Sequence, residues 1–230
     1  MKLNLMQRHL FLDGYETPLA VAEDVEIMGR LLQEINTFMF HGTGAIQTIP
    51  VLDGKKPRNN GVSGVILASG GHFTCHTFSK RGVFFADAFP VYRQTRGEIK
   101  AQIISAFHPH HIQHRQNDYG NGFGRHVVLR LPERPAVFWT PMLDTIMTAI
   151  NMTPLGFAMS DTDEHSFSLI RPIQESHISV HVKDGVAALD VFSCKDFSTD
   201  DLLKTLAAAD LYPTEMISVT RGVKMIDKVL

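Results

Sequence analysis

Apolar residues recur along this chain with two periods, and each period appears twice. Val21, Val25, Met28, Leu32, Ile35 and Phe38 fall three or four residues apart and predict an amphipathic helix. Met142, Ile146 and Ile150 repeat that spacing more weakly. After each run the period shortens to two, the spacing of a strand. The stretches GVSGVILASGGHFTCHTF (61–78) and SFSLIRPIQESHISVHV (166–182) read as strands, and a further strand follows each, VFFADAF (83–89) and AALDVFSC (187–194). Both sets close with a helical segment. In the second, Ser198 reads as an N-cap, with Asp201 three residues on and Leu202, Leu203 and Leu206 behind it.

The two sets keep one register. Ser63 precedes Gly71 by eight residues and Ser168 precedes Ser176 by eight; His76 and His181 each follow by five. Their openings also correspond, QRHLFLDGYETP (7–18) and GRHVVLRLPERP (124–135). Between them runs FHPHHIQHRQNDYGNGFG (107–124), polar and without sustained apolar periodicity, which reads as a connector. A tandem duplication follows: a first repeat over 1–106, a connector over 107–123 and a second repeat over 124–230. The expected fold class is α+β, with two homologous units forming a layered α-β-β-α sandwich of mainly antiparallel sheets.

Composition narrows the function classes. A hydrophobic content of 44% and a charged content of 20% are those of a globular protein. A net charge of -2 supplies no electrostatic attraction to nucleic acid or an anionic membrane. No apolar run reaches the roughly 18 residues of a membrane span, and the first residues lack the apolar core of a secretory signal. Two cysteines, Cys75 and Cys194, make no disulfide framework, so a reducing, cytoplasmic setting is expected. The partner expected is a small-molecule substrate.

Candidate chemistry sits in the second repeat. Alternation puts His177, Ser179 and His181 on one strand face, and aligns Asp190, Phe192 and Cys194 on the next strand. The dipeptide Glu175-Ser176 precedes this strand, where the first repeat has Gly70-Gly71. A histidine alternating in a strand is most simply a hydrogen-bonded structural residue. The run ESHISVH followed by AALDVFSC, however, closely resembles the S-adenosylmethionine decarboxylases of the prokaryotic, pyruvoyl-dependent type. GVSGVILASGGHFTCHTF, QRHLF and GRHVV resemble the same family, so the likeness covers nearly all of both repeats.

That resemblance implies a self-processing decarboxylase of polyamine (spermidine) biosynthesis, made as a zymogen. The serine hydroxyl attacks the preceding carbonyl, the peptide bond becomes an ester, and elimination and hydrolysis leave a pyruvoyl group. Its carbonyl forms a Schiff base with the substrate amine and accepts electrons as CO2 leaves. By position, cleavage falls between Glu175 and Ser176, Ser176 becomes the pyruvoyl cofactor, and Cys194 returns a proton to the substrate as general acid. The family's helper serine and histidine come from across an interface, which implies Ser63 and His76 of the first repeat. That repeat has Gly71 at the cleavage position and Val91 at the cysteine position. A homo-oligomer of the cleaved two-chain unit is compatible with this scheme.

The chain also departs from the family. Lys80 stands where a ribose-binding glutamate is expected, Pro57 where a stacking phenylalanine is, and Leu131 and Pro132 where an opening-strand aromatic is. Ornithine or arginine is therefore an alternative substrate, with Asp161, Asp163 and Glu164 as candidate carboxylates. A catalytically inactive partner subunit is a second alternative, and a hydrolase with a Ser176–histidine dyad a distant third. His108, His110, His111 and His114 could offer metal ligands, with His110 and His114 on one helical face, but a polar connector accounts for them more simply and no metal is expected. GNGFG precedes a strand instead of following one, and GVSGV lacks the last glycine of a nucleophile elbow.

Overall fold

The protein is described by a computed structural model over residues 8–52, 59–91, 95–115, 124–174 and 176–222. The first sheet contains β1 (Leu10–Tyr15), β2 (Ala45–Val51), β3 (Gly61–Ala68), β4 (Gly71–Phe78), β5 (Val83–Phe89) and β6 (His111–Arg115), in spatial order β2-β3-β4-β5-β1-β6. The second contains β7 (Gly124–Pro132), β8 (Met159–Thr162), β9 (Ser166–Ile173), β10 (Ser176–Lys183), β11 (Val186–Ser193) and β12 (Glu215–Arg221), in order β8-β9-β10-β11-β7-β12. The two orders correspond strand for strand, and every strand pairing is antiparallel. The duplicated α+β sandwich is thus present.

Helices cover the outer faces. On the first sheet, α1 (Leu19–Ala22), α2 (Val25–Phe40) and α3 (Arg96–Phe107) sit over a core in which Met28, Leu31, Leu32, Ile35 and Ile103 meet Leu12, Ile66, Phe73 and Phe84. On the second, α4 (Ala136–Ala149) and α5 (Thr199–Ala207) pack Trp139, Leu143, Ile146, Leu202 and Leu206 against Val127, Leu129, Ile178, Val180 and Val191. The single helix expected over Val21–Phe38 is two. Asp24 takes an extended conformation and its side chain accepts hydrogen bonds from the Glu26 and Ile27 amides, 2.8 and 3.0 Å away, which starts α2 afresh. At α5 the Ser198 hydroxyl accepts from the Asp201 amide at 3.1 Å.

Four strands lie outside the runs that the sequence predicts. β2 and β8 close one edge of each sheet, β6 and β12 the other. β6 lies inside the stretch read as a connector; it is held by the main-chain ladder to β1, and Ile112 packs on the core. Because His111–Arg115 is a strand, His110 and His114 share no helical face. His108 caps α3, and His110 lies 3.2 Å from Glu16.

The two inner faces meet each other. Apolar patches border that interface: Phe11, Phe89, Val128, Ala188, Ile217 and Val219 in one place, Val65, Leu67 and Ile170 in another. A third joins Phe78, Val83, Phe85 and Phe192. Between them lies a layer of buried histidines, aspartates and serines, which must satisfy one another because water does not reach them.

Candidate functional site

Strand alternation builds this layer. In β4, Phe73 and Cys75 enter the helix-side core while His72, Thr74 and His76 face the second sheet. In β10, Ile178, Val180 and Val182 do the former and His177, Ser179 and His181 the latter. Asp87 of β5 and Asp190 of β11 stand beside them, both 1% exposed. His9 and His126, at the equivalent openings of the two repeats, bond the two Asp190 oxygens at 3.0 and 2.6 Å. Burial alone would raise the Asp190 carboxyl, but the charge and hydrogen bond of His126, with the hydrogen bond of His9, hold it well below the usual range.

Two serine–histidine pairs lie in equivalent places and differ in how their far atoms are bonded. In the second repeat His181 Nδ1 pairs with the Ser168 hydroxyl at 2.9 Å, and its Nε2 meets His72 Nδ1 at 2.7 Å. The Gly70 amide donates to Ser168 Oγ at 2.9 Å, so every polar atom of that pair is engaged. In the first repeat His76 Nδ1 pairs with the Ser63 hydroxyl at 2.7 Å, yet His76 Nε2 is buried with no hydrogen-bond partner among the described residues. Its ring stacks on His177, centroids 6.0 Å apart and planes within 8°. His177 Nδ1 in turn lies 3.3 Å from the hydroxyls of Ser176 and Thr74. Burial, reinforced by the charges of Arg221 and His126, pushes His76 down to about 3, so this imidazole is neutral near pH 7.

Ser176 opens β10 and is fully buried, its backbone paired to Ile173 on one side and Ser193 on the other. Its φ of 155° is one that residues with side chains rarely adopt. Cys194 follows Ser193 directly and is half-buried against the Phe78–Phe85–Phe192 cluster. The structure therefore brings Ser63, His76, Ser176 and Cys194 to one end of the sheet interface; Glu175 lies outside the described residues. The corresponding end of the first repeat has no room for a side chain. A Cβ on Gly71 would stand 2.5 Å from the Phe89 carbonyl oxygen and 2.6 Å from Pro90. A cavity of about 690 Å³ opens on that side, lined in part by Gly70, Pro90 and His181, so volume does not coincide with the serine.

The substrate candidates are scattered. Lys80 is exposed on the short turn Ser79–Arg81, and Pro57 lies outside the described residues. Leu131 points into the helix-side core of the second sheet instead of toward Ser176. Asp163 bonds Ser69, Ser166 and the backbone at the β8–β9 turn; those hydrogen bonds, that of Ser69 foremost, hold its carboxyl below the usual range. That turn meets the Lys183 end of β10, the far end from Ser176. Cys75 is buried, and desolvation raises its thiol far above the usual range, as befits a packed residue.

Sequence reasoning singled out neither His72 nor Arg221. Arg221, the last of β12, is fully buried between the sheets. It donates to Asp13 Oδ1, to His126 Nδ1 at 3.0 Å, and to the carbonyls of Leu12 and Ala86 at 2.8 and 3.0 Å. The Gly222 amide donates to the other Asp13 oxygen at 2.9 Å. Asp13 belongs to the first repeat and has no counterpart in the second, where Arg130 stands, so the repeat gave no signal for this pair. His9, His126, Asp87 and Asp190 were readable as repeated positions, but their convergence was not.

The fold is made of two equivalent halves, and one serine and one cysteine of the second lie near a buried serine–histidine pair of the first. The S-adenosylmethionine decarboxylase family profile matches residues 8–120 and 136–221, and the chain belongs to that family of decarboxylases. Among solved structures it is similar to the adenosylmethionine decarboxylase from Aquifex aeolicus VF5. That match has 18% identity and a TM-score of 0.36, and covers 48% of this chain and 99% of the other. No curated protein sequence matches. None of the described helices is long and apolar enough to cross a membrane.

Proposed function

We propose that this chain is a self-processing, pyruvoyl-dependent decarboxylase of polyamine biosynthesis, cut between Glu175 and Ser176 and acting on S-adenosylmethionine. The observation that carries the reading is the asymmetry of the two serine–histidine pairs. His181 is tied to His72 at 2.7 Å, whereas His76 Nε2, one ring away from Ser176, has no hydrogen-bond partner among the described residues. A buried nitrogen without a partner costs stability, on the order of 1–3 kcal/mol, and persists where a reaction uses it.

The residues fit the prosthetic group. A pyruvoyl group formed from Ser176 would lie at the head of β10, between Ile173 and Ser193 in the ladder, shielded from water. Once formed, it supplies a terminal ketone that takes up the substrate amine and withdraws electrons as CO2 departs. Everything else belongs to the chain. Ser176 Oγ attacks the Glu175 carbonyl carbon, its proton passes to the nitrogen that leaves, and an ester replaces the amide. Loss of the Ser176 α-proton expels the Glu175 carboxylate, and water then displaces ammonia. We assign those proton transfers to neutral His76, oriented by Ser63 and stacked on His177, whose Nδ1 lies 3.3 Å from Ser176 Oγ. Cys194, beside the Ser176–Ser193 pair, returns a proton to the substrate carbon after CO2 has left.

The exposed Lys80 and inward-facing Leu131 remove two family contacts to the nucleoside, so ornithine and arginine are assayed beside S-adenosylmethionine. The deciding experiment is the denatured mass of the purified protein. Two chains, 1–175 and 176–230, the smaller blocked by a pyruvoyl group, are expected, and Ser176→Ala leaves one chain. A wild-type chain that stays intact at 25.7 kDa on incubation with each candidate substrate overturns the reading.

A further inference from the structure

We propose that His72, Asp87, His177 and Asp190 form a binding site for one divalent transition-metal ion of the zinc class, at the centre of the interface between the sheets. Each repeat contributes one histidine and one aspartate from equivalent positions, and their ligand atoms all lie within 4.8 Å of one another. His72 Nε2 is 2.7 Å from Asp87 Oδ2 and 3.9 Å from Asp190 Oδ2, and His177 Nε2 is 3.7 Å from Asp87 Oδ2 and from Asp190 Oδ1. Metal–ligand bonds of about 2.0–2.1 Å place tetrahedral ligands about 3.3 Å apart, in the middle of that range. Opening the 2.7 Å pair and closing the wider ones, which reach at most 4.8 Å, takes side-chain shifts of about an ångström or less and converts the cluster into a coordination shell.

Two further observations point to a cation. His177 Nε2 and Asp87 Oδ1 are buried with no hydrogen-bond partner among the described residues, although each belongs to this cluster. Two carboxylates also share the site at 1% exposure, while the guanidinium nearby, Arg221, is committed to Asp13. A divalent cation offsets both charges where water cannot.

The surroundings already have the form of an outer shell. Arg221 only donates, so His126 Nδ1 accepts and its Nε2–H donates to Asp190 Oδ1; His9 bonds the other oxygen. Ligation of His72 through Nε2 puts its proton on Nδ1, where His181 Nε2 accepts it and His181 Nδ1–H meets Ser168. Ligation of His177 does the same toward Ser176 and Thr74. Imidazole and carboxylate together, without thiolate, suit zinc and its neighbours. Four protein ligands leave no open position, so the ion is structural, a clasp between the repeats. This site stands on its own geometry and does not depend on the decarboxylase reading.

Full-length protein treated with a chelator is titrated with Co2+, and the visible spectrum and metal content are recorded. One ion per chain is expected, with the intense visible bands of tetrahedral cobalt and no thiolate charge-transfer band. His72→Gln and Asp87→Asn, folded by circular dichroism, should each weaken binding by about 100-fold or more, beyond the 10–100-fold of outer-shell changes. His110→Ala with His111→Ala should leave it intact. Absence of stoichiometric binding to the wild type, weak octahedral bands, a thiolate band from Cys194, or binding unchanged in a folded His72→Gln protein each overturns the proposal. The wild-type spectrum decides the matter even where a variant fails to fold.

Discussion

Replacing Arg221 by methionine tests whether the two repeats are held together by a buried charge. The substitution keeps the unbranched stem and removes every donor. Asp13, 0% exposed, then loses its cationic partner, and the Leu12 and Ala86 carbonyls and His126 Nδ1 lose their hydrogen bonds. Breaking a buried pair from one side costs about 3–5 kcal/mol, because an uncompensated charge remains. Against the 5–15 kcal/mol typical of a folded domain, about a fifth or more of the stability would go. Urea unfolding followed by Trp139, the single tryptophan, buried in the core of the second sheet, reads this directly. Adding Asp13→Asn removes the orphaned charge but keeps an oxygen for the Gly222 amide, so the double variant should recover about 2 kcal/mol. A loss below about 1 kcal/mol in Arg221→Met, or two costs that simply add, refutes the argument.

Four other outcomes follow. His76→Gln should slow chain cleavage by about 10²–10⁴-fold, whereas Ser168→Ala, in the pair that is closed off by His72, should leave its rate unchanged; time courses of denatured mass compare them. Cys194→Ala should cleave normally and yet fail to turn over substrate, which separates processing from decarboxylation in one preparation. Ser198→Ala should lower the urea midpoint by an amount equal to about 1 kcal/mol through loss of the α5 cap. In chelator-treated protein, stability should fall as pH drops below about 6.5, since the unfolded chain takes up a proton that buried His76 refuses until about 3. That residue alone accounts for about 2 kcal/mol between pH 7 and pH 5, and unfolding midpoints flat over that interval would contradict it.

How far the sequence could be read depended on the range of each interaction. The alternation that sets His177, Ser179 and His181 on one face is a property of eight consecutive residues, and they do share that face. Ser198 and α5 were equally local. The break between α1 and α2 was missed because apolar spacing runs straight through it, while Asp24, which causes it, carries no apolar signal. β6 was missed because an edge strand draws on a neighbour's main chain more than on its own pattern, and β12 because its inward alternation, Ile217, Val219 and Arg221, is short and ends on a charged residue. The convergence of His9, His126, Asp87 and Asp190 lies furthest from reach, since partners up to 181 positions apart meet only when two sheets stack. Arg221 is the extreme case, bonded to Asp13 across 208 positions.

The strand order has a mechanical consequence for the chain that the proposed cleavage would leave. In the second sheet β7 lies between β12 and β11, and β9 lies beside β10. Severing the chain before Ser176 assigns β7, β8 and β9 to the longer fragment and β10, β11 and β12 to the shorter. The fragments then alternate across the sheet like interlaced fingers, with β7 gripped on both flanks by the shorter piece. Neither can slide out without tearing three ladders, so the nicked molecule should travel as one particle through any native separation and come apart only on unfolding.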